Sequence, residues 1–285
     1  MKFYGTGAAE GLPSPFCSCY LCEYARTHGG KDLRTRSMFR LNEEISIDLG
    51  PDAFHQAALY GDLKELAHVL VTHTHPDHFA YDMMEVRRMA TVRRSGPLNY
   101  YFTGDAGKIV EKYENSDFIL GGKFKALEEQ SVIKAHYMDY GETYSVGMLS
   151  VTPLRGNHRG DLKEDAANYL IRMANGTLLF YGCDTGPYLE ETYEALRSHH
   201  IDILISECTY GGGEDTYPNP GHLSYSACVK VFERLLSQGT IDAHTRVYLT
   251  HINHCHQADH ETLQKMFDDS GLPMKCTVAY DGMEI

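Results

Sequence analysis

Six consecutive residues, His73-Thr74-His75-Pro76-Asp77-His78, place four metal-ligating side chains directly behind the apolar run Val69-Leu70-Val71. An apolar run that short reads as a buried strand, and its end must open onto a site where polar side chains meet. Strand periodicity puts His73 and His75 on the same side of an extended segment, so both imidazoles can reach one cation. Pro76 then turns the chain, and Asp77 and His78 open the next element, where they can serve a second cation nearby. A lone histidine after a strand is usually structural. Four ligands in six positions read as a metal site, with a nitrogen and carboxylate mixture suited to Zn, Mn or Fe.

A strand buried on both faces needs helices or a second sheet to cover it. The rest of the chain supplies both. Strands are predicted at 45–48, 98–102, 132–137, 143–154, 167–173, 178–181, 201–205, 247–250 and 276–280. Helical patterns run over 53–66, 79–94, 188–199, 224–236 and 259–267. Interleaved strands and helices without an internal repeat predict a layered α/β fold with helices outside the sheets. We read residues 1–285 as one domain, with an inserted, polar, helix-like subregion at 104–130 broken by Gly121-Gly122. The basic stretch 26–40 shows no clear pattern.

Later strand ends carry more ligand-type residues: His158 after Gly156-Asn157, Asp184 in Cys183-Asp184-Thr185-Gly186, and His251 with His254 in Thr250-His251-Ile252-Asn253-His254. Asp184 follows the apolar strand 177–181, where a carboxylate is costly to bury unless paired or metal-bound. Cys17, Cys19 and Cys22 offer three thiolates on a tight turn, and a tetrahedral zinc needs a fourth ligand. His254 is the candidate, with His256 and His260 as competitors. His222, in a Gly/Pro-rich loop ahead of a helix, is placed to contact an anion. His68 and Asp48 flank core strands and read as supporting or structural groups.

His73, His75, Asp77 and His78, followed by His158, Asp184 and His251, resemble the metallo-β-lactamase superfamily in its branch of dinuclear phosphodiesterases. The stretch from Gly5 to Pro13, the cysteine knuckle and the closing Asp281-Gly282-Met283-Glu284-Ile285 are similar to the phosphonate-utilisation phosphodiesterase branch. The resemblance implies an αβ/βα sandwich, two facing mixed sheets with helices on the outer faces. It implies that His73, His75 and His158 bind one catalytic metal and Asp77, His78 and His251 a second, with Asp184 bridging. It also implies a structural zinc on Cys17, Cys19, Cys22 and His254, a role for His222 in phosphate contact and proton transfer, and a homodimer.

The expected function is hydrolysis of a small, nucleotide-like phosphodiester, cyclic or open, by a metal-bridging hydroxide, with Asp77 orienting the nucleophile and His222 serving the leaving group. A formal net charge of -13 argues against an extended nucleic-acid partner. Neither an apolar leader at the start nor a membrane-spanning stretch is evident, so a cytoplasmic location is expected. An RNA 3′-processing endonuclease of the same superfamily shares the ligands but would want a basic arm. An acyl hydrolase would use the same hydroxide, and a metal-stabilised binding protein would not need Asp77 and Asp184.

Overall fold

The first half of the chain builds one sheet and the second half builds another. A computed structural model describes residues 1–114, 123–159, 164–212, 221–255 and 258–285. The first sheet holds β1 (Lys2–Gly5), β2 (Met38–Arg40), β3 (Ile45–Ile47), β4 (His68–Leu70), β5 (Leu98–Thr103) and β6 (Ile133–Met138), paired in chain order. The second holds β7 (Tyr144–Val146), β8 (Leu149–Arg159), β9 (Asp165–Arg172), β10 (Leu178–Gly182), β11 (Ile203–Glu207), β12 (Arg246–Thr250) and β13 (Cys276–Val278), again with each strand beside its neighbour in sequence. Both sheets are mixed: β3 to β6 and β10 to β13 run parallel, whereas β1 to β3 and β7 to β10 run antiparallel.

Alternation along the strands explains why the sheets stack. In β10 and β11, Leu179, Tyr181, Ile203 and Ile205 point between the sheets and meet Phe39, Ile47 and Leu70 of the first sheet. Their neighbours Phe180 and Leu204 point outward onto α6 (Glu190–Leu196), α7 (Tyr225–Ser237) and α8 (His260–Asp268) through Leu196, Phe232 and Leu263. On the opposite outer face, Val69, Tyr100 and Phe102 are covered by Ala53 of α2 (Ala53–Tyr60), Met84 of α3 (Asp82–Met89), Ala106 of α4 (Gly104–Glu114) and Phe124 of α5 (Lys123–Glu129). The layers are helices, sheet, sheet, helices, the αβ/βα sandwich that the strand pattern and the resemblance implied.

Several boundaries differ from the sequence reading. The helix expected over 53–66 stops at Tyr60 because Gly61 takes φ 122°, outside helical space. The pattern over 79–94 yields only α3, since Ala90 turns extended. The segment 143–154 is two strands, separated by a turn with Gly147 at φ 56°, and β8 continues to Arg159. The unpatterned stretch 26–40 contains the end of α1 (Tyr20–His28) and all of β2, both held by tertiary contacts rather than by strong periodicity. The Gly121-Gly122 break lies outside the described residues. Among the described residues no helix is long and apolar enough to cross a membrane.

Candidate active site

Parallel strands that end on the same side gather their following loops at one edge of the sandwich. There the segment after β4 brings His73, His75, Asp77 and His78, the end of β8 brings His158, and the turns after β10 and β12 bring Asp184 and His251. Asp184 and His251 adopt φ 52° and 59°, and Asp48, behind them, φ 60°. Left-handed backbone costs a non-glycine residue free energy, and its concentration here is the signature of a site held by its surroundings.

The side chains form two groups that share Asp184. His73, His75, His158 and Asp184 offer ligand atoms within 4.8 Å of one another, and so do Asp77, His78, Asp184 and His251. Asp184 Oδ2 lies 3.2 Å from both His73 Nε2 and His78 Nε2 and 3.8 Å from His251 Nε2. His78 Nε2 is also 3.2 Å from Asp77 Oδ2.

The partners behind the cluster fix which nitrogen faces it. His78 Nδ1 donates to Asp48 Oδ2 at 2.7 Å, leaving a lone pair on Nε2. The Thr209 hydroxyl donates to Glu207 at 2.6 Å and therefore accepts from His251 Nδ1 at 2.8 Å, which again frees Nε2. The Thr72 hydroxyl, engaged with Asp48, relates in the same way to His73 Nδ1 at 3.1 Å. Among the described residues, buried His78 Nε2 and His251 Nε2 make no well-formed hydrogen bond, although the Asp77 and Asp184 carboxylates face them at 3.2 to 3.9 Å. His73 Nε2 also faces His75 Nδ1 at 2.9 Å and His158 Nε2 faces the same atom at 3.4 Å. Converging lone pairs around a shared carboxylate, unsatisfied in a native core, fit a pair of cations.

Burial, followed by the charge of His78, lowers His73 to about 3, so it stays neutral. Burial opposes protonation of His78 itself, yet the Asp77 and Asp48 carboxylates hold it well above its ordinary value, so a cation at its Nε2 would take the place of a proton. Burial disfavours the Asp77 and Asp184 carboxylates, yet the imidazoles around them hold both below the usual carboxylate range.

His222 sits at the rim with Nδ1 3.0 Å from Asp184 Oδ1 and 3.2 Å from Glu207 Oε2. Burial works against its protonation, but Glu207 and Asp184 overcome this and push it up to about 11. Glu207, fully buried at the end of β11, also accepts from the backbone N–H of Thr185 and Gly186 at 2.6 Å each and of Leu223 at 3.1 Å. One carboxylate thus organises the Asp184 turn, His222 and, through Thr209, His251. Sequence reading passed over Glu207, because a glutamate ending an apolar strand carries no spacing signal. Asp48 proves a direct partner of His78, while His68 bonds the Tyr101 hydroxyl at 3.0 Å within the first sheet.

A cleft of about 460 Å³ opens beside His158, lined by Arg155, Asn157, Arg159, Asp165, Leu189 and Gly221 among others. Asp165 holds both arginines. Residues 213–220, ahead of His222, lie outside the described residues.

At the chain's start Cys17, Cys19, Cys22 and His254 converge with ligand atoms within 4.8 Å. Cys19 Sγ lies 3.5 Å from His254 Nδ1. Although burial opposes it, the Cys22 backbone N–H and His254 lower Cys19 to about 6, the direction a thiolate ligand needs. Burial raises Cys22 to about 12 in the absence of a cation. His260 is engaged elsewhere, with Arg34 Nη2 at 3.1 Å, and His256 lies outside the described residues. The knuckle is tied to the active edge by backbone: Ala8 N donates to Ile252 O at 3.1 Å and Ile252 N to Thr6 O at 2.9 Å. Cys183 is fully buried between the sheets, its thiol pushed up by burial, and belongs to none of the groups that could hold a metal ion.

The family described as Beta-lactamase superfamily domain matches residues 43–252. Among solved structures, a diphosphatase from the PhnP family is 21% identical, with TM-score 0.73, covering 100% of this chain and 96% of its own. Human tRNase Z, short form, is 14% identical with TM-score 0.62, covering 99% and 96%. The Octanoyltransferase of Porphyromonas gingivalis (strain ATCC BAA-308 / W83) is 37% identical over 78 residues, which is 26% of this chain. The chain spans only 15% of that protein's length.

Proposed function

Since the chain belongs to the metallo-β-lactamase superfamily and carries the ligand clusters of a metal-dependent hydrolase, we propose that it hydrolyses a small phosphodiester. The observation that carries this reading is the sharing of Asp184 between the two ligand groups, with His222 set over the same carboxylate. His73, His75, His158 and Asp184 would hold one divalent cation, and Asp77, His78, His251 and Asp184 the other, with Zn, Mn or Fe suited to the donors. When bound, such a pair supplies an activated water and neutralises charge on a phosphoryl group.

The protein's own contribution begins with Asp48, Thr72 and Thr209, which lock the imidazole tautomers so that no ring turns during turnover. Asp77 and Asp184, kept ionised, can accept the proton of an attacking water and hold its direction. His222 is kept protonated by Glu207 at Nδ1, leaving its Nε2 to give a proton to the departing alkoxide. The cleft beside His158 is flanked by Arg155 and Arg159, which favours the non-reacting part of a small anionic substrate. Among the described residues Arg159 bonds through Nε, at 3.1 Å from Asp165 Oδ1, and its side chain is 72% exposed. Arg159→Ala should raise KM about tenfold with little change in kcat, the loss of one charged hydrogen bond. Steady-state kinetics with a nucleotide diester checks it; an unchanged KM refutes substrate contact there.

The reading is tested by supplying Zn, Mn, Ni and Co in turn and assaying bis(p-nitrophenyl) phosphate, p-nitrophenyl phosphate, a lactone and a thioester. Metal-dependent turnover of the diester, with little of the others, is the expected result. No diester turnover with any metal would sink it, and preferential lactone or thioester turnover would move the assignment to acyl hydrolysis.

We also propose that the knuckle holds a closed structural zinc. Cys17→Ser should lower tightly bound zinc by one ion per chain by elemental analysis, and unchanged stoichiometry would remove Cys17 from the site.

A further inference from the structure

Glu164 has no part in the chemistry above, yet it is a carboxylate only 3% exposed. It stands immediately ahead of β9, and its Oε1 accepts from the Thr74 backbone N–H at 2.7 Å. The Thr74 hydroxyl lies 2.7 and 2.6 Å from its two oxygens. Thr74 is the residue between His73 and His75.

The contact ends a series. After β4 the chain leaves its own sheet as the segment 71–74, and β9 of the other sheet holds it there: the Tyr169 hydroxyl donates to Val71 O, and Ala167 N donates to Thr72 O at 2.8 Å. Glu164 continues that line to the next stretch of backbone. It directly precedes β9, the strand that pairs with β8, whose last residues carry His158. One side chain therefore joins the loop of His73 and His75 to the hairpin of His158, the three imidazoles of the first ligand group.

We propose that Glu164 is a positioning residue for the first cation site, fixing Thr74 and thereby the His73–His75 geometry. This rests on the two-cation reading above. Outer partners of metal ligands commonly set affinity by about 10- to 100-fold. The effect is selective for one site, because His78 and His251 of the second group are held by Asp48 and Thr209 instead.

The test is chelator competition on the full chain, reading bound zinc per protein by elemental analysis. Glu164→Ala should release one of the two active-edge ions at about 10- to 100-fold lower chelator strength, leaving the other and the knuckle zinc at wild-type values. Glu164→Gln, which keeps an acceptor for the Thr74 N–H, should show a smaller shift and carries the test if the alanine variant does not fold. On a His158→Ala background, where the first site is already impaired, Glu164→Ala should add nothing. Curves that superimpose on wild type, or that shift all three ions together, would overturn the positioning role. Wild-type protein that binds no ions at the active edge would instead overturn the two-cation reading, and because no substrate is used, a negative substrate panel bears on neither.

Discussion

Asp184→Asn should leave a folded protein that retains its knuckle zinc and loses nearly all hydrolytic activity. Asp184 is 2% exposed and stands within 3.2 Å of imidazoles from both ligand groups. The amide has nearly the carboxylate's shape, so packing against the Asp184 turn is preserved. It loses the charge that both cations would share, and it presents an N–H₂ donor where lone pairs converge. If each site weakens by about 10- to 100-fold, joint occupancy falls by about 10²- to 10⁴-fold, and turnover with it. Removing a negative charge from among imidazoles also lets His73 and His78 relax from their present distances. Metal content, far-ultraviolet circular dichroism and diester turnover measured on one preparation check the prediction. A variant with both active-edge ions in place and wild-type turnover would refute the shared-ligand role.

The second large effect belongs to the pair His222 and Glu207. His222→Ala should lower kcat by about 10²- to 10⁴-fold for an alkyl diester, the usual worth of a general acid. The loss should shrink for bis(p-nitrophenyl) phosphate, whose leaving group departs without a proton. Equal losses on both substrates would show that His222 binds phosphate rather than delivering a proton. Glu207→Gln provides the complement. Glu207 and Asp184 raise His222 to about 11, so its protonated form persists through neutral pH and is lost as pH rises through its folded-state value. Removing the Glu207 charge lowers that value, so the alkaline limb of the kcat profile should move to lower pH. An alkaline limb that stays in place in Glu207→Gln would detach the carboxylate from proton delivery. Because Glu207 also holds the Thr185 and Gly186 N–H groups, some loss of thermal stability should accompany the shift.

These variants also show what the sequence could and could not convey. His73, His75, Asp77 and His78 declare themselves by density and by the strand before them, and their possible ligand atoms fall in two groups that share Asp184. His158, Asp184 and His251 are each unremarkable alone, and their shared position at strand ends is what made them legible. The layered fold is legible in the interleaving of strands and helices, and in the structure residues such as Ile203, Leu204 and Ile205 face alternate layers. Asp48, Glu164 and Glu207 act through partners 30, 90 and 15 residues away in His78, Thr74 and His222. No local pattern encodes such pairings; they exist only once the sheets are stacked. Helix ends failed for a related reason: Gly61 and Ala90 stop α2 and α3 by backbone geometry that apolar periodicity does not report. The first turn of α1 is masked in the sequence by the ligand pattern of Cys19 and Cys22, although Cys19 stands at the helix start and Cys22 is buried beside Leu21 and Ala25.

The central claim, a phosphodiester hydrolase that works through two cations sharing Asp184, is tested most directly by titrating metal back into stripped protein. Bound zinc and diester turnover are followed together as zinc is added. The first equivalent should fill the knuckle without activity, and turnover should rise only as the second and third ions bind, reaching its plateau at three per chain. Full turnover with a single ion at the active edge, or three bound ions with no hydrolysis of any diester, would contradict the account.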